Sequence, residues 1–329
     1  MLREKRNFFA VLASAFVLLV VVVAALPGRG QTLSQPQQEE RASDVRPAVK
    51  LTAETRERTV APAPKAPVSS AFETAARENN ALRLNLNWVF GGKQQRGWYL
   101  YTSLINDTVG FDGDASSGDF ARALSAWQQR AGLAPTGVLD NDTWFKMFSH
   151  WQARRLKERA YPSPEELVTA PTSDFWDESR PAELRQVERE AYAAYKRMVA
   201  AAAADPSLRL ATTHDGQLAP AERYLKIISA FRSKAYQDKL RKASPHSGSA
   251  GLAKNSPHFT GRELDIYVGG EPVETKDSNR ALQVQTPVYK WLVRNAERFG
   301  FRPYYYEPWH WEYVGTGAAR ETSVAAHQH

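Results

Sequence analysis

The chain of 329 residues contains no cysteine. It can therefore form neither a disulfide bond nor a thiolate metal site. Any metal ion must be held by histidine nitrogens and carboxylate oxygens. The absence of cysteine is compatible with an oxidising compartment but does not establish one.

The sequence also lacks a block of like charge. Its formal net charge is +7 at pH 7, but the basic residues are scattered among acidic ones. A net positive charge suits an anionic partner in general terms. Because no basic patch is concentrated in one stretch, we expect no binding to nucleic acid.

One long uncharged apolar run stands at the N-terminus. It extends from Phe8 to Leu26 behind a short basic segment, and it is long enough to cross a bilayer as a helix. A cleaved signal peptide usually has a shorter apolar region followed by a small-x-small site. We therefore predict that residues 1–26 are an uncleaved transmembrane anchor, which places the rest of the chain in the periplasm or extracytoplasmic space. Secretion after signal cleavage is the alternative.

Three further segments have compositions that do not favour an independent core. Residues 27–80 are rich in proline, glutamine and charged residues, which predicts a disordered stalk because little apolar surface is available to offset chain entropy. The proline-containing and acidic residues 161–182 are interpreted as a linker. The tail at 317–329 is expected to be disordered.

Residues 81–160 predict a separate, small all-α domain. Ser117 or Asp119 can cap a first helix, and Asp140 can cap a second after a turn that contains proline and glycine. The apolar residues recur at helical spacing: Phe120, Leu124 and Trp127 in the first helix, and Trp144, Met147, Phe148 and Trp151 in the second. Each tryptophan is most simply interpreted as a core residue.

Residues 183–316 contain two predicted strands with a polar residue on one face. In the first strand Asp265 stands between Leu264 and Ile266, and in the second His310 stands between two tryptophans. Because successive side chains of a strand point to opposite faces, both polar residues leave the apolar face. Two neighbouring strands would direct Asp265 and His310 to one point.

With His258, these residues supply two imidazoles and one carboxylate. Zinc accepts such ligands, and three protein ligands leave one coordination position for water. Hydrolysis also needs a base that takes the proton of the attacking water. Glu307 is the candidate base, three residues before His310, and Glu312 is its competitor because it shares the predicted strand face of His310.

Three motifs follow one another along the chain: Phe231-Arg232-Ser233-x-x-x-Gln237, then Ser256-x-His258-x-x-Gly261-x-x-x-Asp265, then Glu307-x-x-His310. Together they resemble the zinc D-alanyl-D-alanine carboxypeptidases, the VanY-like group of peptidoglycan D,D-peptidases. The resemblance implies one zinc ion held by His258, Asp265 and His310. It also implies that Glu307 is the general base and that Arg232 stabilises the oxyanion.

The same resemblance implies that Gln237 and Ser256 contact the substrate. Glu263 departs from the family pattern, because the family commonly has a small residue at this position. This difference puts the shape or charge of the pocket in doubt. His246 stands near these motifs but has no His or carboxylate at a supporting spacing, so we do not predict it as a ligand.

Residues between Trp127 and Trp144 resemble a second family, the peptidoglycan-binding domains that accompany many wall hydrolases. The two resemblances imply an α+β peptidase unit with a small, mainly antiparallel sheet and a zinc cleft. The expected partners are the peptidoglycan stem peptide and, through the helical domain, the wall glycan or peptide. The expected reaction is zinc-dependent removal of terminal D-Ala from D-Ala-D-Ala stems. The alternatives are an endopeptidase of the same chemistry and a catalytically silent wall-binding protein.

Overall fold

A computed structural model of the chain describes residues 68–90, 92–157, 159–243 and 256–315. These residues belong to one compact unit. Within these ranges no helix is both long and apolar enough to span a membrane. The predicted anchor at 1–26, most of the predicted stalk, His246 and the tail at 317–329 lie outside the described residues.

The described residues form eight α-helices and eight strands. The helices are α1 Val68–Asn85, α2 Thr102–Val109, α3 Gly118–Arg130, α4 Asn141–Ala153, α5 Arg189–Ala203, α6 Lys234–Ala243, α7 Asp277–Gln283 and α8 Pro287–Asn295. The strands are β1 Asn87–Phe90, β2 Lys93–Arg96, β3 Leu167–Thr169, β4 Gln186–Glu188, β5 Ile227–Ser229, β6 Glu263–Ile266, β7 Phe301–Pro303 and β8 His310–Tyr313. This confirms the predicted α+β class.

The two capped helices of the N-terminal part are confirmed as α3 and α4. The Ser117 hydroxyl accepts a hydrogen bond from the backbone N–H of Phe120 at 3.1 Å. The Asp140 carboxylate accepts one from the backbone N–H of Thr143 at 2.9 Å. Each cap satisfies a backbone donor that has no partner inside its helix. The tryptophans of this region are core residues, as Trp144 illustrates with 0% exposure.

The predicted stalk at 27–80 is wrong at its C-terminal end, because residues from Val68 onward form α1. Ala75 and Ala76 are buried, and Asn79 is 0% exposed. The Asn79 side chain donates to the carbonyl of Gly137 at 2.8 Å and accepts from the backbone N–H of Leu139 at 2.7 Å. The small side chains of Ala75 and Ala76 allow α1 to pack closely against α3. Composition alone does not reveal a helix that is stabilised by such distant partners.

The N-terminal part is neither all-α nor separate. Strands β1 and β2 pair as an antiparallel hairpin. Aromatic rings then join this part to the segment before β8: Phe148 lies 4.8 Å from Tyr305, and Phe90 lies 4.6 Å from Tyr306, between ring centroids. The sequence prediction missed this contact because tyrosines at 304–306 carry no helix or strand signal that assigns them to a partner.

The predicted linker at 161–182 is also more structured than expected. Its strand β3 pairs antiparallel with β4. Phe175 is fully buried, and the ammonium group of Lys226 donates to the carbonyl of Ser173 at 2.6 Å. Helix α5 begins at Arg189, directly after the last residue of β4.

A four-stranded antiparallel sheet in the order β5-β6-β8-β7 positions the site. Leu264 pairs with Trp311, and both are 0% exposed on the apolar face. Tyr289 of α8 packs against Trp311 with ring centroids 6.3 Å apart. The predicted alternation along β6 and β8 is therefore confirmed, and the opposite face of the two strands is left for polar side chains.

We predict that Asn79→Ala destabilises the protein by about 1–3 kcal/mol, because it leaves the buried Leu139 N–H and Gly137 carbonyl without their partner. Asn80→Ala is the matched control, since Asn80 is the exposed neighbour in the same helix. Urea unfolding of both variants measures the difference. Equal stabilities would contradict the role of Asn79 in attaching α1.

Candidate metal centre

His258 lies on a short 3-10 helix, Pro257–Thr260, that ends at Gly261. Gly261 has a φ of +67°, and a Cβ there would lie 2.9 Å from the backbone nitrogen of Glu188, so the motif requires glycine. The Nδ1 atom of His258 lies 2.7 Å from the carbonyl oxygen of Ala230. Because a carbonyl only accepts, Nδ1 carries a proton, and in the neutral imidazole Nε2 has a free lone pair.

The register of β6 and β8 brings the other candidate ligands to this nitrogen. Asp265 pairs directly with His310 across the two strands. The Asp265 carboxylate lies 3.2 Å from His258 Nε2 and 3.5 Å from His310 Nδ1. The structure thus brings together the three residues predicted as metal ligands.

Glu263 is the residue that the sequence analysis failed to predict as a member of this cluster. It stands two residues before Asp265 and therefore on the same face of β6. Its Oε1 lies 2.8 Å from His258 Nε2 and 2.9 Å from His310 Nδ1, and its side chain is 0% exposed. Strand periodicity was the signal that could have identified it.

The two competing glutamates lie on opposite sides of the His310 ring. Glu307 Oε2 lies 3.3 Å from Nδ1, the nitrogen that faces the cluster, and the Glu307 side chain is 27% exposed. Glu312 Oε1 lies 3.6 Å from the other nitrogen, Nε2, and its side chain is 0% exposed. Glu312 forms an ion pair with Arg155 and accepts from the backbone N–H of Leu156 at 2.8 Å. Glu307 is therefore the glutamate that faces both the cluster and solvent.

Arg232 is the third residue after β5 and lies beside the cluster. Its guanidinium is 3.3 Å from the Asp265 carboxylate and 3.2 Å from the Ser229 hydroxyl. Its backbone N–H donates to the carbonyl of His258 at 3.2 Å. The Arg232 side chain remains 18% exposed, so these contacts hold it in position without closing it off from a ligand.

The two residues predicted to contact the substrate, Ser256 and Gln237, are not part of the four-residue cluster. The Ser256 hydroxyl accepts from the backbone N–H of His258 at 3.4 Å and so caps the helix that carries the histidine. Gln237 is buried on α6, near whose start the Ser233 hydroxyl accepts a hydrogen bond from the backbone N–H of Tyr236 at 3.2 Å. Their contact with substrate stays a prediction.

Charge within the cluster shifts the titration of its members. Burial lowers the pKa of His258, as does Arg232, but the carboxylates of Glu263 and Asp265 raise it by more, so the net pKa lies above 6.5. Burial likewise opposes protonation of His310, yet Glu263 raises the pKa of His310 well above 6.5. Burial raises the pKa of Glu263, and the two histidines lower it well below 4.5. Glu263 and the two histidines therefore stabilise one another's charged forms.

The donor set fits a metal ion. His258, Glu263, Asp265 and His310 each offer a ligand atom, and these atoms all lie within 4.8 Å of one another. Both Glu263 oxygens and Asp265 Oδ1 are buried without a hydrogen-bond partner among the described residues. A metal ion would coordinate these unpaired buried oxygens, and zinc accepts both imidazole nitrogen and carboxylate oxygen.

Comparison with known proteins gives two family matches. Residues 184–316 match the VanY family model, described as D-alanyl-D-alanine carboxypeptidase, and residues 99–147 match a putative peptidoglycan-binding domain. No curated protein matches the sequence. A solved structure of the LdcB LD-carboxypeptidase is 25% identical, with 52% of this chain and 78% of that chain covered and a TM-score of 0.33. The family matches support a peptidoglycan peptidase with a peptidoglycan-binding domain.

We predict that Arg155→Met destabilises the metal-free protein by about 3–5 kcal/mol, because it leaves the buried Glu312 carboxylate without its cation. The neighbouring Arg154→Met is the matched control: its partner Glu297 is 36% exposed and also contacts Arg302. We expect the control to cost about 1 kcal/mol or less.

Urea unfolding in the presence of EDTA measures both variants. The double variant Arg155→Met/Glu312→Gln should recover part of the loss, since no unpaired charge then remains buried. A cost for Arg155→Met no larger than that for Arg154→Met would show that this ion pair does not stabilise the fold.

Proposed function

Starting from the match of residues 184–316 to the D-alanyl-D-alanine carboxypeptidase family, we propose that the protein removes the terminal D-Ala from D-Ala-D-Ala stem peptides of peptidoglycan in a zinc-dependent reaction. The observation that carries the proposal is the convergence of His258, Asp265 and His310 beside a half-buried glutamate, Glu307.

His258 Nε2, His310 Nδ1 and a carboxylate oxygen of Asp265 would hold the zinc ion. When bound, zinc supplies Lewis acidity toward the scissile carbonyl and lowers the pKa of the attacking water. The hydrogen bond from His258 Nδ1 to Ala230 orients that imidazole, and the nearby Glu312 carboxylate faces the outer nitrogen of His310. Such outer partners fix the orientation of a ligating histidine.

Glu307 is the general base of the proposed reaction. It takes a proton from water as the oxygen bonds to the scissile carbon, and it returns a proton to the departing amine as the C–N bond breaks. The products are a stem peptide with one fewer residue and free D-Ala. Glu307 lies next to His310 Nδ1 and is partly exposed, and both facts support this role. The Glu312 carboxylate, in contrast, is already paired with Arg155.

Arg232 stabilises the negative charge that develops on the carbonyl oxygen. A guanidinium keeps its charge at any working pH and offers several donors. Its contacts with Ser229 and Asp265 hold it in place before substrate arrives, which is how preorganised donors lower a barrier. Ser256 and Gln237 are proposed to contact the substrate around it.

The peptidoglycan-binding domain at 99–147 is proposed to keep the enzyme on the wall polymer. Its tryptophans are buried, so wall contact has to come from other side chains. A membrane anchor at 1–26, a stalk before residue 68 and an extracytoplasmic location complete the proposal, and they rest on the sequence alone.

We predict that Glu307→Ala lowers kcat by about a hundredfold or more and retains zinc, because it removes a general base but no ligand. His258→Ala should lose zinc together with activity. Zinc content and the rate of D-Ala release from a D-Ala-D-Ala peptide distinguish the two roles.

Glu312→Gln is the control for a nearby carboxylate, and we expect it to retain more activity than Glu307→Ala. The reverse order would assign the base to Glu312.

Product analysis separates the proposed activity from its two alternatives. We expect mass spectrometry of treated muropeptides to show stems shortened by one alanine, with cross-linked dimers intact. Cleavage of the dimers into monomers would identify an endopeptidase. Unchanged muropeptides from a zinc-loaded protein that still binds wall material would identify a catalytically silent wall-binding protein.

A further inference from the structure

The cluster holds one carboxylate more than the three proposed ligands require. Glu263 is fully buried, and neither of its oxygens has a hydrogen-bond partner in the described part of the chain. Its short contacts are to His258 Nε2 and His310 Nδ1, the two nitrogens that face the metal position. A side chain that served only to fill space would not need a charge here.

Distances indicate where the Glu263 oxygen lies relative to an ion. A zinc–ligand bond is about 2.0–2.1 Å, so two ligand atoms of a tetrahedral site are about 3.3 Å apart. Glu263 Oε1 lies 2.8 and 2.9 Å from the two histidine nitrogens, and the corresponding Asp265 distances are 3.2 and 3.5 Å. Glu263 is therefore closer to a corner of the coordination polyhedron than to its centre.

The charges of the four side chains also support a ligand position for Glu263. The proton on His258 Nδ1 is engaged by Ala230, so Nε2 can donate to Glu263 only if the imidazole carries a second proton. Two neutral imidazoles and two carboxylates carry a charge of −2, which one divalent cation neutralises. Without that cation, the two buried negative charges would be balanced only by protonation of both imidazoles.

We propose that Glu263 is a fourth protein ligand, so that the resting centre is a closed His258–Glu263–Asp265–His310 site. This inference rests on the metal centre of the proposed function. Four protein ligands are typical of closed sites, whereas catalytic zinc sites keep a position open. Water and substrate therefore reach the ion only when the Glu263 carboxylate detaches or when the coordination number rises to five.

Zinc affinity tests the ligand role without an activity assay. Glu263→Ala introduces a small residue, and Glu263→Gln keeps the shape but removes the charge. We expect both to weaken zinc binding at least about tenfold in competition with a chromophoric chelator, since even outer partners of zinc ligands contribute that much. Glu307→Gln is the matched control for a carboxylate beside His310 that is not a ligand, and its affinity should equal that of the unaltered protein.

Access to the ion tests the closed site. The full chain is loaded with Co²⁺, whose visible absorption reports coordination number, and is titrated with acetohydroxamate as an added ligand. We expect the spectrum of Glu263→Ala to change at concentrations that leave the spectrum of the unaltered protein unchanged. Identical titrations would overturn the proposal that Glu263 closes the site.

The outcomes separate this inference from the proposed function. If the unaltered protein and Glu263→Ala bind zinc equally and His258→Ala does not, Glu263 is not a ligand and the three-ligand centre stands. If the unaltered protein binds no zinc, both proposals fail. Circular dichroism and thermal unfolding of the metal-free variants identify a folding defect, and if Glu263→Ala does not fold, Glu263→Gln decides.

Discussion

The antiparallel register of β6 and β8 is the constraint on which the rest of the site depends. It pairs Asp265 with His310 and Glu263 with Glu312 on one face, and Leu264 with Trp311 on the other. A shift of one residue would bury the polar set in the core and expose the apolar pair. The packing of Trp311 against Tyr289 therefore stabilises the site, because it opposes that shift.

Partners that are distant in the sequence then orient the ligands. Ala230, after β5, accepts the Nδ1 proton of His258. Arg155, beyond the end of α4, pairs with Glu312 behind His310. The segment after α4, which lies between the two family-matched regions, thus reaches the outer side of the metal centre. A buried charge such as that of Glu312 contributes to stability only while its ion-pair and hydrogen-bond partners are present.

Glu263 changes the chemical character of the centre. With Asp265 alone, a divalent ion and its ligands carry one net positive charge, which favours an incoming carbonyl oxygen or water. With Glu263 bound as well, the net charge is zero and the ion is held more tightly but is less accessible. The closed state that we infer would require either detachment of the Glu263 carboxylate or a fifth coordination position in each turnover.

Local spacing in the sequence determined the capped helices α3 and α4 and the alternation that separates Asp265 and His310 from the core. The α+β class was indicated by the resemblance of the motifs to known families. The sequence did not determine α1, the β3–β4 pair or the contact of the tyrosines at 304–306 with the helical part, because each is stabilised by residues far along the chain. The same limit applies to the site. Motif order identified His258, Asp265 and His310, but only the tertiary structure placed Glu263 between the histidines and Glu312 behind them, since distance and burial arise when separate strands and helices pack together.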